Sequence, residues 1–172
     1  YSMGGRLALG LAIQHPERVQ RSVLVSASAG VADNAQRTAR RRSDAQLAEE
    51  LLERGIEWFV DYWMGLPMFA SQHRLHPDIL EASRRQRLEN DPRGLARSLR
   101  GAGSGNQPPL WRRLDEVAGP VLIVVGEEDT QFRSLGVRMA TGLKDATIAV
   151  IPEAGHACPL ETPEAPPAAV SN

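Results

Sequence analysis

The sequence predicts an α/β fold, a mostly parallel β-sheet flanked by helices, with a block of helices inserted into it. Three short apolar runs of strand character, at residues 22–26, 120–126 and 146–151, indicate the sheet. Helical stretches alternate with these runs, and such alternation is typical of parallel strands joined by helices. Residues 32–114 interrupt the pattern, because they contain several helix candidates and no strong strand candidate.

The first segment, residues 1–31, predicts a turn, a helix and a strand. Residues 1–6 (YSMGGR) lead into an apolar helix, which should stop near His15 because Pro16 follows it. Residues 22–26 (SVLVS) then predict a short buried strand. This order is that of the second half of a βαβ unit, and we expect its first strand to lie outside this chain.

The middle segment, residues 32–114, is predicted to be a helical lid over a sheet-based site. Most of the aromatic and sulfur-containing residues of the chain fall between Trp58 and Phe69. Residues 101–109 (GAGSGNQPP) have the composition of a loop. The candidate helices span residues 33–54, 57–64, 77–88 and 92–99.

The last segment, residues 115–172, resumes the α/β pattern. Its first run, PVLIVVG at 120–126, is an apolar strand of the kind that is buried on both faces. A helix is predicted at 132–143 and a second strand at 146–151, before Pro152. The proline-rich tail predicts no clear helix.

Ser2 is the candidate nucleophile. Residues 1–4 match the last four positions of the motif G-x-S-x-G, in which a sharp strand-to-helix turn lifts a serine hydroxyl clear of the backbone. Gly4 and Gly5 would supply the small residues needed where the helix passes the strand. The N–H of Met3 would be one oxyanion donor at the helix amino terminus. The alternative is an ordinary serine N-cap on a glycine-rich helix.

Two further residues complete a candidate triad. Asp129 follows the apolar strand of the last segment and His156 follows the next one, and sites form at the carboxyl ends of parallel strands. His156 would accept the proton of Ser2, and Asp129 would orient the imidazole. Taken separately, Asp129 is equally typical of a turn and His156 of an ordinary loop, with Glu127 and Glu128 as competing acids.

The remaining histidines and the cysteine do not indicate a metal site. His15 is expected to cap a helix end, whereas His73 and His76 lie in a polar loop. The chain contains no His-x-x-x-His pair. Cys158 is the single cysteine, which excludes an intramolecular disulfide and a zinc site built from cysteines. We therefore expect neither a metal nor a cofactor.

The arginines carry a second signal. Lys144 is the only lysine among 20 basic residues, a skew that compositional bias mostly explains. Clusters at 37–42 and 84–87, and Arg6 one turn after Ser2, nonetheless suit a small ligand with several carboxylates, because arginine binds a carboxylate through two parallel hydrogen bonds. Spacing alone leaves open which arginines face the site.

Composition excludes several other classes of function. The 172 residues are 42% hydrophobic and 24% charged, a globular profile. Twenty basic residues against 21 acidic ones leave a net charge of -1, which argues against a general nucleic-acid or membrane-surface binder, although a local basic patch stays open. No apolar run reaches the roughly 18 residues of a membrane span.

Taken together, these residues resemble the MenH branch of the α/β-hydrolase superfamily, the 2-succinyl-6-hydroxy-2,4-cyclohexadiene-1-carboxylate synthases of menaquinone biosynthesis. The order serine, acid, histidine is common to the superfamily. The more specific stretches are residues 1–6, 37–44 (RTARRRSD), 59–71 and 87–103. The resemblance implies the C-terminal part of an α/β-hydrolase fold, with core segments at 1–31 and 115–172 and a helical lid at 32–114.

The resemblance implies a cytoplasmic lyase rather than an esterase. Enzymes of this family eliminate pyruvate from 2-succinyl-5-enolpyruvyl-6-hydroxy-3-cyclohexene-1-carboxylate, a tricarboxylate. Carried over to this chain, Ser2 would abstract a ring proton, His156 would accept the serine proton, and Asp129 would orient the histidine. The implied substrate-binding residues are Tyr1, Arg6, Arg40, Trp63 and Arg87. Rival assignments are Arg84 or Arg85 for Arg87, and Tyr62 for Trp63.

The chain also departs from the family pattern. The first glycine of the serine motif, and the His-Gly loop that would supply a second oxyanion donor, are not in this sequence. Residues 163–172 lack the amphipathic helix expected after the histidine. We expect these 172 residues by themselves to be poorly soluble and inactive. A generic carboxylesterase or C–C hydrolase and an inactive truncated fragment stay open as alternatives, and the oligomeric state is not predicted.

Overall fold

The computed structural model describes residues 1–164 and 168–170. Its helices are α1 (Ser2–Gln14), α2 (Asn34–Met64), α3 (Pro77–Leu88), α4 (Pro92–Ala102), α5 (Thr130–Ala140) and α6 (Cys158–Glu161). Its strands are β1 (Ser22–Val25), β2 (Val121–Gly126), β3 (Ala146–Ile151) and β4 (Ala168–Val170). Short 3-10 segments lie at Pro16–Arg18, Pro67–Arg74 and Trp111–Glu116. The α/β fold class predicted from the sequence is confirmed.

The strands form one sheet in the order β1-β2-β3-β4. Strands β1, β2 and β3 are parallel, and β4 pairs with β3 in the antiparallel direction. Val25 pairs with Val124, and Gly126 pairs with Ile151. The chain therefore leaves β1, β2 and β3 at the same edge of the sheet, so the loops that follow these strands start close together.

The chain divides into two compact units, Tyr1–Gly30 with Pro109–Asn172, and Val31–Pro108. The core of the first unit lies where α1 and α5 pack on the sheet, and it includes the fully buried Leu9, Ile123 and Met139. Gly5 permits the close approach of α1, because a Cβ there would lie 2.6 Å from the Cβ of Ala27. Burying this apolar surface is the main favourable contribution to folding of the unit.

Strand β2 is only partly buried on its second face. Val121, Ile123 and Val125 are buried, whereas Leu122 and Val124 between them are half-buried. The expectation that both faces of this strand are fully covered is therefore met on one face only among the described residues. Alternation of this kind arises because successive side chains of a strand point to opposite faces.

The second unit is built from helices that pack around α2. Helix α2 is broken at Gly55, whose φ of 87° and ψ of 175° are not helical, which confirms the predicted break between two helices. Ala48, Leu51 and Phe59 of α2 pack with Ala96 of α4 in a small core. Asp33 and Asp91 cap α2 and α4 by accepting hydrogen bonds from backbone N–H groups of the first turns.

Several element boundaries differ from their predictions. Helix α1 begins at Ser2, so the predicted small-residue turn at residues 1–6 is largely helical, while the predicted position of Ser2 at a helix amino terminus is confirmed. Helix α5 begins at Thr130 because Asp129 caps it. The segment Trp111–Glu116 contributes Leu114 to the core of the first unit, whereas the sequence grouped residues up to 114 with the helical segment. Helix α6 begins within the predicted loop at residues 153–159, and β4 is a strand that was not predicted in the proline-rich tail. Residues 165–167 and 171–172 lie outside the described residues.

Within the described part of the chain, no helix combines the length and the apolar character that crossing a bilayer requires.

Candidate active site

Ser2 lies at the amino terminus of α1 in a strained backbone conformation. Its φ is 45°, in the left-handed region that residues with a side chain rarely adopt. Such a conformation costs about 1–3 kcal/mol and is concentrated at functional sites. The first N–H groups of a helix have no partner within it, so negative charge at this position is stabilised. Both the strain and the position fit the turn that the G-x-S-x-G motif demands.

The sequence suggested that Gly4 and Gly5 have the same packing role, but the structure shows different surroundings for the two residues. A Cβ at Gly5 would collide with Ala27 at the end of the neighbouring strand, so this position requires glycine. A Cβ at Gly4 would meet nothing within 4 Å among the described residues. The close approach of α1 and the sheet therefore depends on Gly5 in this part of the chain.

Asp129 follows β2 and uses both of its carboxylate oxygens. Its Oδ1 accepts a hydrogen bond from the N–H of Phe132 at 3.2 Å and so caps α5. Its Oδ2 lies 2.7 Å from Nδ1 of His156. The side chain is only 9% exposed. One aspartate thus starts a helix and orients the histidine, and the cap holds the carboxylate in place.

His156 follows β3 and connects the acid to the serine. Its side chain is 1% exposed, and its Nε2 lies 3.0 Å from Oγ of Ser2. An ionised carboxylate can only accept hydrogen bonds, so Nδ1 carries the proton that it donates to Asp129. Nε2 is then the acceptor, aimed at the Ser2 hydroxyl. The three candidate residues are therefore joined in one hydrogen-bonded chain.

Glycine lets the acid and histidine loops pass each other. A Cβ at Gly126 would lie 2.1 Å from the carbonyl oxygen of Gly155 and 2.4 Å from that of Ala154. These neighbours are backbone atoms, which cannot rotate away as a side chain can. The residue that ends β2 must consequently be glycine for the loop of His156 to lie beside that of Asp129.

Two aromatic rings flank the imidazole of His156. The ring centroid of Tyr1 lies 5.3 Å from that of His156, and the ring centroid of Phe132 lies 4.5 Å away. The sequence prediction placed Tyr1 in the substrate pocket and missed Phe132. The available signal was the spacing from Asp129, because the third residue after an N-cap lies in the first helical turn beside the cap.

The acids that competed with Asp129 in the sequence have other contacts. Oε2 of Glu127 accepts a hydrogen bond from the N–H of Glu153 at 3.1 Å. The backbone N–H of Glu128 donates to the carbonyl oxygen of Ala154 at 2.9 Å. Both contacts hold the segment that precedes His156. Position along the chain could not distinguish these acids, since all three follow the same strand.

Met3 and Arg6 lie on α1, within one turn of Ser2. Met3 is the second residue of the helix, where an N–H directed at the site would act as an oxyanion donor; this role stays a prediction. Arg6 is 7% exposed and is one of the few buried charged residues of the described chain. A buried guanidinium requires hydrogen-bonding or charged partners, and the assignment of Arg6 to a substrate carboxylate stays a prediction.

The second unit holds the other arginine candidates. Nε of Arg40 donates a hydrogen bond to Oδ1 of Asp44 at 2.8 Å, and the Asp44 side chain is 3% exposed while that of Arg40 is 48% exposed. The buried carboxylate of Asp44 thus holds Nε, the guanidinium nitrogen nearest the Arg40 backbone. Asp44 was not singled out from the sequence, although its spacing of four residues from Arg40 on a helix is the signal for such a pair.

Arg87 and its rivals differ in their contacts. Nη1 of Arg87 donates hydrogen bonds to the carbonyl oxygen and to Oγ of Ser83, one turn earlier on α3. Arg84 instead pairs with Asp61, with Nη2 at 3.0 Å from Oδ1, and Arg85 is exposed. The assignment of Arg87 to a substrate carboxylate stays a prediction.

Trp63 is better enclosed than its rival Tyr62. The Trp63 ring stacks with Phe59 at a centroid distance of 5.5 Å and lies 6.2 Å from Phe69. Tyr62 is 45% exposed and stacks on Trp58. Trp63 therefore belongs to the apolar cluster of the second unit, whereas Tyr62 lies on the outer side of the same helix. The role of Trp63 in the substrate pocket stays a prediction.

The described residues contain no group of three histidine, cysteine or acidic side chains that could hold a metal ion. His15 follows the last residue of α1, and its backbone N–H donates to the carbonyl oxygen of Leu11. His73 and His76 are exposed, and Nδ1 of His76 caps α3.

A family model described as the alpha/beta hydrolase family matches residues 1–170. The chain belongs to this family. The match includes the serine at the start of α1 and the acid and histidine after β2 and β3. In this fold those three positions meet at the carboxyl edge of the sheet.

The curated relatives carry a more specific name. A Bacillus subtilis (strain 168) protein named "Putative 2-succinyl-6-hydroxy-2,4-cyclohexadiene-1-carboxylate synthase" is 43% identical over 95% of this chain and 60% of its own length. A synthase of the same name from Enterobacter sp. (strain 638) is 33% identical over 96% of this chain and 61% of its own length. The chain thus spans about three fifths of these relatives.

Solved structures agree with this similarity. MenH from S. aureus superposes with a TM-score of 0.93 at 38% identity, over 95% of this chain and 62% of that one. A malate-bound thermophilic esterase from Thermogutta terrifontis superposes with a TM-score of 0.74 at 26% identity, over 95% of this chain and 58% of that one. The predicted resemblance to the MenH branch is confirmed.

Proposed function

We propose that the protein is a carbon–oxygen lyase of menaquinone biosynthesis. It would eliminate pyruvate from 2-succinyl-5-enolpyruvyl-6-hydroxy-3-cyclohexene-1-carboxylate, the reaction that the resemblance implies. The observation that carries the proposal is the hydrogen-bonded chain from Asp129 through His156 to Ser2, in a chain 43% identical to a relative with the name of such a synthase.

In this proposal Ser2 acts as a base. His156 takes the hydroxyl proton through Nε2, and the serine oxygen removes a proton from the substrate ring. The electrons of the broken C–H bond shift through the ring by way of a dienolate-like state, and the carbon–oxygen bond to the enolpyruvyl group breaks, so that its electron pair leaves with the enolate of pyruvate. The proton held by the His156 imidazolium passes to this enolate, which gives pyruvate and returns the histidine to its neutral form. The helix amino terminus at Ser2 and the N–H of Met3 would stabilise the negative charge, while Asp129 stabilises the imidazolium.

The arginines would bind the three substrate carboxylates. Arg6, Arg40 and Arg87 are the proposed partners, and the guanidinium of Arg40 has its Nε already held by Asp44. Such a guanidinium can present its two terminal nitrogens to a carboxylate in a fixed orientation. Tyr1 and Trp63 would line the apolar part of the pocket.

The test is pyruvate release by the intact protein, measured through a coupled lactate dehydrogenase assay. We expect Ser2→Ala to lower kcat by about 10³-fold or more, because the base is lost. Arg40→Ala should mainly raise KM, by about 10-fold to 100-fold, since it removes a charged hydrogen-bonded contact worth about 1.5–3 kcal/mol. Arg42→Ala, on the same helix, is the matched control and should behave like the wild type. A wild-type protein that releases no pyruvate would contradict the proposal.

An esterase is the second candidate function. The same serine, histidine and aspartate serve acyl transfer, and the esterase from Thermogutta terrifontis shares the fold at 26% identity. Hydrolysis of p-nitrophenyl esters without any pyruvate release would favour this candidate. Loss of that hydrolysis in Ser2→Ala would then assign it to the same site.

A further inference from the structure

The loop that carries His156 is held by one carboxylate that the proposed mechanism does not use. Oε2 of Glu161 accepts a hydrogen bond from the N–H of Gly155 at 2.7 Å. Oε1 of the same side chain accepts one from the N–H of Ala157 at 3.1 Å. These N–H groups belong to the residues immediately before and after His156, so a single side chain fastens the backbone on both sides of the histidine.

The position of Glu161 makes this clamp stiff. Glu161 is the last residue of α6, and its own N–H donates to the carbonyl oxygen of Ala157 at 3.0 Å. The turn of α6 therefore starts at Ala157, whose N–H the carboxylate binds, and it brings the Glu161 side chain back beside the loop of His156. Hydrogen bonds between a carboxylate and N–H groups are shorter and stronger than those between neutral groups.

The other contacts of the loop act farther from the imidazole. Glu127 and the backbone of Glu128 hold Glu153 and Ala154, which precede the histidine by three and two residues. Only the carboxylate of Glu161 bonds on both sides of His156 among the contacts described. Glu161 thus holds the backbone on both sides of His156, while Asp129 bonds the imidazole itself.

We propose that Glu161 is a positioning residue for His156: its carboxylate bridges the N–H groups of Gly155 and Ala157 and holds Nε2 at hydrogen-bonding distance from Ser2. The inference rests on the proposed function of the triad. Glu161 acts through the histidine and touches no substrate. Its removal should slow the chemical step and leave substrate binding unchanged, because a small displacement of a catalytic group lowers the rate steeply.

The test compares Glu161→Gln and Glu161→Ala with the wild type in the intact protein. Gln keeps the size of Glu and one acceptor oxygen, but its NH₂ group would face a backbone donor. We expect kcat for pyruvate release to fall by about 10-fold in Glu161→Gln and by up to about 100-fold in Glu161→Ala, with KM at the wild-type value. Glu164→Gln is the matched control, because this exposed glutamate lies three residues away.

A second readout needs no substrate. The proton between His156 and Asp129 should give a downfield ¹H NMR signal, which His156→Ala identifies by removing it. We expect Glu161→Gln to weaken or broaden this signal while Glu164→Gln preserves it. Because the signal does not depend on turnover, a wild type without lyase activity would refute the proposed function and still leave the clamp testable.

The outcomes separate the two roles of Glu161. Unchanged kcat and an unchanged downfield signal in both Glu161 variants would overturn the inference. A loss of kcat that only follows a loss of folded protein, measured by circular dichroism at the assay temperature, would also overturn it in favour of a purely structural role. A lower kcat in folded Glu161→Gln, at constant KM and with a weakened signal, supports it.

Discussion

The carboxylate of Asp129 shows how one residue can join local and tertiary structure. Its Oδ1 accepts a hydrogen bond from an N–H of the first turn of α5, which has no partner within the helix. Its Oδ2 accepts a hydrogen bond from Nδ1 of His156. The local contact is readable from sequence, because an aspartate before a helical segment is a common N-cap. The second contact is not, since His156 lies 27 residues away on another loop.

Cys158 lies two residues after His156 but has the environment of an inert thiol. It is 3% exposed and packs with Ile151 and Ala154. Burial raises the pKa of the Cys158 thiol above its ordinary value, and the hydrogen bond with Ser26 only partly offsets this effect. The folded protein therefore keeps the thiol proton to a higher pH than the unfolded chain does.

The higher pKa of the Cys158 thiol in the folded protein predicts that this residue makes the protein less stable at alkaline pH. Above about pH 8.5 the unfolded thiol ionises while the folded thiol does not, so the unfolding free energy falls as the pH rises. The contribution of the protonated Cys158 thiol to the unfolding free energy is fully present below that pH. Above it, this contribution falls by at most about 1.4 kcal/mol per pH unit. Urea unfolding of the wild type and Cys158→Ala between pH 7 and about pH 10 should show the steeper fall in the wild type. Identical slopes would contradict the assigned cause.

At the scale of elements, helix α2 depends on one glycine for its direction. Gly55 adopts φ of 87° and ψ of 175°, a combination that is open almost only to glycine. A Cβ at this position would meet nothing within 4 Å among the described residues. The requirement for glycine is consequently one of backbone conformation and not of packing.

Because Gly55 is required for its backbone conformation and not for packing, the effect of replacing it can be predicted. Gly55→Ala should lower the unfolding free energy by about 1–3 kcal/mol, because an alanine would be strained there. Gly101→Ala is the matched control: it lies within α4 with open space around its Cβ and without a positive φ. We expect this control to leave stability unchanged or raise it by up to about 1 kcal/mol. Urea unfolding measures both, and equal effects of the two substitutions would refute the conformational explanation.

For the whole molecule, near-neutral charge coexists with a concentration of arginines. The net charge is -1 with Lys144 as the only lysine, so no general electrostatic attraction for polyanions is expected. Binding of a small tricarboxylate would instead depend on individual arginines such as Arg6 and Arg40. Attraction between exposed guanidinium groups and carboxylates is screened by salt.

The corresponding prediction concerns ionic strength. Raising salt from about 50 to about 500 mM should increase KM for the proposed substrate and leave kcat nearly unchanged, because screening weakens binding but not proton transfer. Arg40→Ala should show a shallower dependence, since one screened contact is already missing. Steady-state pyruvate release at several salt concentrations measures this dependence. A KM that is independent of salt in the wild type would argue against carboxylate recognition by arginine.

Features that depend on local interactions were predicted from the sequence, whereas several that depend on tertiary contacts were not. The bounds of α3 and β3 and the break of α2 were predicted correctly, because prolines, glycine and periodic apolar residues act locally. Residues 2–6 belong to the first turns of α1, although their glycines had suggested a turn before the apolar helix; the serine motif, by contrast, had correctly placed Ser2 at a helix amino terminus. Glu161 was missed because its partners, Gly155 and Ala157, are backbone groups with no sequence signal.

The sequence by itself determined the fold class, the similarity to the MenH branch and the identity of Ser2, Asp129 and His156 as candidates. These depend on periodicity, strand ends and short motifs, which are local properties of the chain. Only the tertiary structure decided that Asp129, rather than Glu127, bonds His156, and that Gly126 and Glu161 hold the histidine loop. Those relations depend on the parallel register of β2 and β3, which brings residues distant in sequence to one edge of the sheet.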